Sequence, residues 1–192
     1  MKFDTIVIDA SSIINFFKYY HEYYYDVTTN NTIFPELNEF LIKKIKSGEI
    51  ILIDKVFDEL KSIEYANFKK EIKGNITESI SVFSEVQSLI KRYYIIENEK
   101  FYNGNKIQID SDLEKYETTH ADLFLIAVSK QLKSNGKKVL LITEESIGKD
   151  KKLIDKIPVI CKKANEDVWC RTIPFALFEH YKDELEFTLK IK

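Results

Sequence analysis

Three apolar runs, each breaking off at a carboxylate, constrain this chain more than any other feature. "FDTIVID" arrives at Asp9, "IILID" at Asp54, and "VLLITEE" at Glu144 and Glu145. The runs are continuous rather than alternating, the pattern of strands covered on both faces. Between them lie stretches with apolar residues at helical spacing. Strands alternating with helices predict an α/β fold with three layers, α/β/α, around a central, mainly parallel, twisted sheet. In such sheets ligands sit beyond the carboxyl ends of the strands. A carboxylate there is costly to bury unless a helix N-terminus, a cation or a metal ion compensates it.

Phe3 to Ile8 reads as the first strand, and Ser11 or Ser12 can cap a helix bearing Ile13, Phe17, Tyr20 and Tyr24. Asp26 to Glu36 reads as a loop, and about Pro35 to Lys46 as a helix with Leu37, Leu41 and Ile45 on one face. Ile50 to Ile53 follows as a strand, and Asp54 can cap a helix carrying Val56, Leu60 and Ile63. Ile76 to Val82 reads as a strand, Ser84 to Tyr94 as a helix, and the polar run Glu97 to Glu117 as a long loop. Thr118 to Leu132 is a helix with Ala121, Leu125, Val128 and Leu132 on one stripe. "KKVLLIT" is a strand, Glu144 to Lys156 a charged loop, and Pro158 suits the first turn of a short helix. "DVWCRT" is the last strand, and Pro174 opens a helix reaching about Phe187.

A chain of 192 residues is expected to form one domain, 1–192. At 44% hydrophobic and 31% charged residues it is globular rather than disordered. A net charge of -2 excludes a dedicated basic nucleic-acid coat, though a local basic patch can still hold a nucleic acid. Arg92 and Arg171 are the only arginines, so phosphate contacts would fall mostly to lysine point charges. Cys161 and Cys170 show no zinc-binding spacing and fit a reduced compartment. No apolar run approaches about 18 residues, and no leader pattern is present, so a soluble, cytoplasmic protein without a membrane span is expected.

Four acidic positions carry the chemical argument. Asp9 ends the first strand; Glu59 flanks the apolar stripe of its helix, whereas Asp58 points away from it; Asp122 sits in the first turn of "HADLFLIAVSK"; Glu145, with Glu144 beside it, follows "LLIT". Each has a plainer role available. Asp9 can cap a helix, Glu59 can be solvated, Asp122 can form a capping box with Thr119, and the two glutamates can lie in a solvated loop. Together, carboxylates brought into one cleft would repel and hold protons near neutral pH unless a divalent cation joined them. An all-oxygen set without His or Cys suits Mg²⁺ or Mn²⁺ rather than zinc.

"IVIDASSII", "LIDKVFDELKS", "HADLFLIAVSK" and "VLLITEES", in that order, resemble the PIN-domain family of metal-dependent nucleases, including its VapC-type members, and the end of the chain looks like a little-characterised PIN-like subgroup. The resemblance implies that Asp9, Glu59, Asp122 and Glu145, with Glu144 as the alternate, are the catalytic metal ligands. Ser11 and Thr143 match the small polar positions that tune such a site. Glu145 stands where the family motif has Asp. The same resemblance implies Mg²⁺/Mn²⁺-dependent cleavage of RNA, a role as the toxin of a toxin–antitoxin pair, an antitoxin partner and a homodimer. Two other classes compete. One is a non-catalytic PIN-like binding module; the other is a phosphatase of the haloacid-dehalogenase type, which needs a second Asp where this chain has Ser11.

Two further stretches can meet a substrate. Lys149, Lys151 and Lys152 follow the acidic end and can guide a phosphate backbone. The aromatic run Phe16 to Asp26 can stack RNA bases, but Phe17, Tyr20 and Tyr24 are better assigned to the core and the rest to an interface.

Overall fold

The computed structural model of the chain describes residues 2–18, 25–26, 31–32, 35–103, 105–148, 152–163 and 166–185. Its centre is a four-stranded sheet in the order β4-β1-β5-β6, with every pairing parallel. β1 (Thr5–Ile8) and β5 (Val139–Ile142) lie side by side in the middle, Thr5 opposite Val139 and Ile8 opposite Ile142, and all eight residues are buried. β4 (Ile50–Ile51) pairs on the outer side of β1, and β6 (Trp169–Arg171) on the outer side of β5. A two-residue antiparallel ladder, β2 (Tyr25–Asp26) with β3 (Asn31–Thr32), forms a separate sheet; it begins one residue before the span expected to be loop and otherwise falls inside it.

Helices cover both faces, giving the expected three layers. Along β1, alternate side chains point to opposite sides. Ile6 and Ile8 meet Leu41 of α2 (Pro35–Lys46), Ile173 of α9 (Ile173–Phe175) and Leu177 of the π-helical turn Ala176–His180. α7 (Ala121–Ser134) packs on β1 and β5, and α3 (Asp54–Glu59) and α5 (Phe83–Tyr93) pack on α7. α7 is buried continuously from Leu123 to Ser129, which fits a helix wedged between sheet and neighbours. The other helices are α1 (Ala10–Phe16), α4 (Ala66–Ile72), α6 (Lys106–Thr118) and α8 (Ile157–Cys161).

Several local expectations need correction. The polar run Glu97 to Glu117 is a 3-10 turn, Ile96–Tyr102, followed by α6. Asn105 starts α6 by accepting from the Gln108 N–H, and Ile109, Leu113 and Tyr116 turn one narrow stripe onto the core. Three apolar residues among many charges conceal that stripe in the sequence. Ile76 to Val82 is not a strand; Thr77 forms one parallel bridge to Ile53, and a 3-10 turn follows at Ile80–Val82. The second expected strand stops at Ile51. α3 ends at Glu59, so Leu60 is buried beyond the helix while Ile63 is 89% exposed. Asp54 does not cap α3: its carboxylate accepts the Ser79 N–H and hydroxyl. α9 gives way to the π-helical turn and stops well short of Phe187, which lies outside the described residues. Ile13 and Phe17 are buried as expected; Tyr20 and Tyr24 lie outside the described residues. Among the described residues no helix is long and apolar enough to cross a membrane.

Candidate metal centre

From β1 the sheet extends to β4 on one side and to β5 on the other. Asp9 therefore stands at the crevice where the strand order reverses, the usual ligand position in open α/β sheets. Its backbone continues the ladder by one residue, donating N–H to the Ile142 carbonyl at 3.0 Å, and its side chain is only 4% exposed. Two hydroxyls, Ser11 Oγ and Thr143 Oγ1 (2.8 Å), donate to the same oxygen, Oδ2. Each hydroxyl also accepts a backbone N–H from the loop after β5, Glu144 to Ser11 at 3.3 Å and Glu145 to Thr143 at 3.1 Å. Those amides occupy hydroxyl lone pairs and leave both protons for Asp9. Oδ1 is left without a hydroxyl donor.

Asp9 holds the N-cap backbone conformation of α1 (φ −85°, ψ 155°), yet its carboxylate makes no capping hydrogen bond. The expectation that Ser11 or Ser12 caps α1 also fails: Ser11 serves Asp9, and Ser12 Oγ is buried without a hydrogen-bond partner among the described residues. Helix capping therefore does not account for Asp9.

The other carboxylates arrive from three directions. Glu59 ends α3, and its Oε1 accepts the Ala121 N–H at 3.1 Å, so it caps α7 from 62 residues away. Asp122 lies in the first turn of α7, and no hydrogen bond reaches its carboxylate from the described residues. Its capping box with Thr119 is not formed, because Thr119 closes α6 and donates its hydroxyl to the Lys115 carbonyl. Glu145 accepts the Ile157 N–H at the start of α8 (3.1 Å) and lies 3.3 Å from Lys152 Nζ. Glu144 accepts the Ile173 N–H at the start of α9 at 2.6 Å. Neither glutamate is the solvated loop residue of the plainer account. Lys152 sits beside the cluster; Lys149 and Lys151 lie outside the described residues.

The four carboxylates act on one another. Burial pushes the Asp122 carboxyl up to about 7; Glu145 and Asp9 push the same way, Lys152 opposes, and Glu59 adds a little. Part of the Asp122 surface still reaches solvent, so its energetic weight is smaller than full burial would give. Burial also raises Glu59, against the Ala121 N–H, with Asp9 and Glu145 adding to it. Burial raises Asp9, against the Ser11 and Thr143 hydroxyls; Glu145 adds to it, and the Ser11 amide gives the smallest opposing contribution. Repulsion of this kind is what a cation would relieve. As the side chains stand, no three His, Cys, Asp or Glu among the described residues close on one point in metal-binding geometry. The cause is visible: Glu59 and Glu145 are drawn to helix N-termini, where N–H donors and the helix dipole compensate their charge.

The raised carboxyls predict a pH profile. A folded-state value above the unfolded one means that the fold favours the neutral acid. The resulting stability is complete below about 3.8, fades as pH rises, and is gone above about 7 for Asp122. In EDTA the thermal midpoint is therefore expected to fall between pH 5 and pH 8, and Asp122→Asn is expected to flatten that fall. An equal slope in wild type and variant rules out Asp122 as its source.

Sequence reasoning missed two features. Beside the acidic crevice lies a cavity of about 520 Å³ between α8 and β6, whose wall includes Thr143, Glu145, Trp169 and Arg171. Further off, the buried Glu166 gathers Arg92, Tyr93 and Lys130. Neither has a spacing signature, because each is assembled from distant segments.

One family model matches residues 6–180, under the description "Domain of unknown function (DUF4411)". No curated protein and no solved structure matches the chain.

Proposed function

Since the chain belongs to the DUF4411 family, whose description assigns no chemistry, we propose from its own residues that it is a Mg²⁺- or Mn²⁺-dependent endoribonuclease with a PIN-like site. The supporting observation is the buried Asp9, held by two hydroxyls on one oxygen and electrostatically coupled to Glu59, Asp122 and Glu145 at the strand-end crevice. The donor set is all oxygen, as a hard divalent cation requires. Asp9, Glu59 and Asp122 would hold the ion. Glu145, and Glu144 less directly, would contribute once drawn from the helix starts they now serve. When bound, the ion would polarise a phosphodiester and ready a water for attack. The Ser11 and Thr143 hydroxyls favour the charged form of Asp9 against burial and fix its orientation. Lys152 adds positive charge on the side where a phosphate would enter. A toxin role, an antitoxin partner and a homodimer belong to the same proposal, as does action in the cytoplasm.

The test is cleavage of a circular single-stranded RNA in Mn²⁺ and in EDTA. Linear products are expected only with the metal, and calorimetry is expected to detect Mn²⁺ binding. Absence of both would favour a second reading, a non-catalytic binding scaffold. One observation speaks for that scaffold: three of the five acids already hold helix N-termini. A haloacid-dehalogenase-type phosphatase ranks lower, because Ser11 spends its hydroxyl on Asp9 where that chemistry needs a second carboxylate.

A further inference from the structure

The cavity between α8 and β6 has features the acidic cluster does not use. Its volume, about 520 Å³, lies in the ~300–1,000 Å³ range typical of small-molecule sites. Its lining includes Thr143 and Glu145 beyond the end of β5 and Trp169 and Arg171 on the sheet's edge strand, and the Thr143 N–H donates to the Arg171 carbonyl at 3.0 Å. Trp169 is 41% exposed, so part of its indole is open to solvent. The Arg171 guanidinium lies over the Trp169 ring at 5.3 Å and over the Phe175 ring at 5.6 Å.

The charges around the cavity are unbalanced. Its two acids are already compensated, Asp167 by Lys133 and Glu145 by Lys152 and the Ile157 N–H. Its two cations are not. Lys162 and Arg171 are exposed and make no salt bridge with the described residues; Arg171 donates only to the neighbouring Cys170 carbonyl, at 2.7 Å. A flat π-face, a guanidinium plane and uncompensated positive charge match an unpaired nucleobase with its phosphate.

We propose that this cavity receives an unpaired base of the RNA strand, stacked on the Trp169–Arg171 pair, with the adjoining phosphate drawn to Lys162. A strand threaded this way runs directly past Thr143 and Glu145 to the acidic crevice. The site thereby selects single-stranded over duplex RNA, since a paired base cannot leave its stack to enter. The choice of RNA rests on the nuclease reading above.

Trp169 is the only tryptophan in the chain, so its emission reports this site alone. In EDTA, titration with single-stranded decaadenylate is expected to quench that emission saturably, and the same strand annealed to its complement is not. With a fluorescein-labelled strand read by anisotropy, Trp169→Ala is expected to weaken binding about tenfold or more, while Trp169→Phe stays within about threefold. Arg171→Ala, a change at an exposed side chain, gives an independent arm with a similar loss. Unchanged emission, equal quenching by duplex, or wild-type affinity in both alanine variants overturns the proposal. Quenching without Mn²⁺-dependent cleavage overturns the nuclease reading alone; cleavage without quenching overturns the base subsite alone.

Discussion

Asp9→Asn is expected to lower Mn²⁺-dependent cleavage of single-stranded RNA by more than about a hundredfold without destabilising the metal-free fold. The size follows from position. Losing a group that merely supports a metal ligand costs about 10–100-fold, so losing a ligand should exceed that range. The stability half follows from burial. Burial disfavours a charge on the Asp9 carboxyl. Asparagine removes that charge and keeps one carbonyl oxygen to accept from Ser11 and Thr143. Its thermal midpoint in EDTA at pH 8 should therefore equal or exceed that of wild type. A helix-cap role alone predicts intact activity, since asparagine caps a helix about as well as aspartate. Cleavage equal to wild type would remove Asp9 from the site, and cleavage lost only in step with a falling midpoint would make its role structural.

Glu166→Ala is expected to lower stability by about 3–5 kcal/mol. Glu166 is 3% exposed and stands in the turn before β6, where Lys130 of α7 approaches to 2.6 Å and the Tyr93 hydroxyl of α5 to 2.5 Å, with Arg92 bonded to the same carboxylate. Alanine would leave Lys130 and Tyr93 facing an emptied pocket. For a chain of this length the thermal midpoint should fall by roughly 6–20 °C. Burial pushes the Glu166 carboxyl up, but its hydrogen bonds to Lys130, Tyr93 and Arg92 outweigh burial and bring it below the ordinary 4.5. This stabilisation is therefore in place above about 4.5 and is lost as pH falls further, opposite in sign to the Asp122 effect. Urea unfolding of the variant at pH 7 measures the loss. A change below about 1 kcal/mol would put this cluster in the class of exposed ion pairs.

What the sequence disclosed tracks the length and strength of each pattern. β1, β5, α2, α5 and α7 were legible because their apolar residues repeat over several turns or fill a whole strand. α6 was not, since its stripe of Ile109, Leu113 and Tyr116 is spread thinly among charged neighbours. Of the site, the positions of Asp9, Asp122 and Glu145 could be anticipated from strand ends and a helix start, and that of Glu59 from its place beside the apolar stripe of its helix. Their bonding could not. Glu59 finds its partner 62 residues on at Ala121, and Glu144 finds one 29 residues on at Ile173. Nothing local encodes such pairings; they exist only once the sheet has brought the segments together. Glu166 and the Trp169 cavity escaped for the same reason.

The acids that start α7, α8 and α9 have an evolutionary corollary. Glu59, Glu145 and Glu144 each secure a helix in addition to any part in chemistry. Under the proposed nuclease function, selection for folding alone would thus preserve them in a descendant that had ceased to cut RNA. Asp9 and Asp122 carry no such second duty: one lacks a capping bond, and the other lacks any hydrogen bond from the described residues. On that proposal, drift at positions 9 and 122 among the relatives of this chain would be the sign of a retired enzyme, whereas persistence of the three glutamates would say nothing about whether catalysis survives.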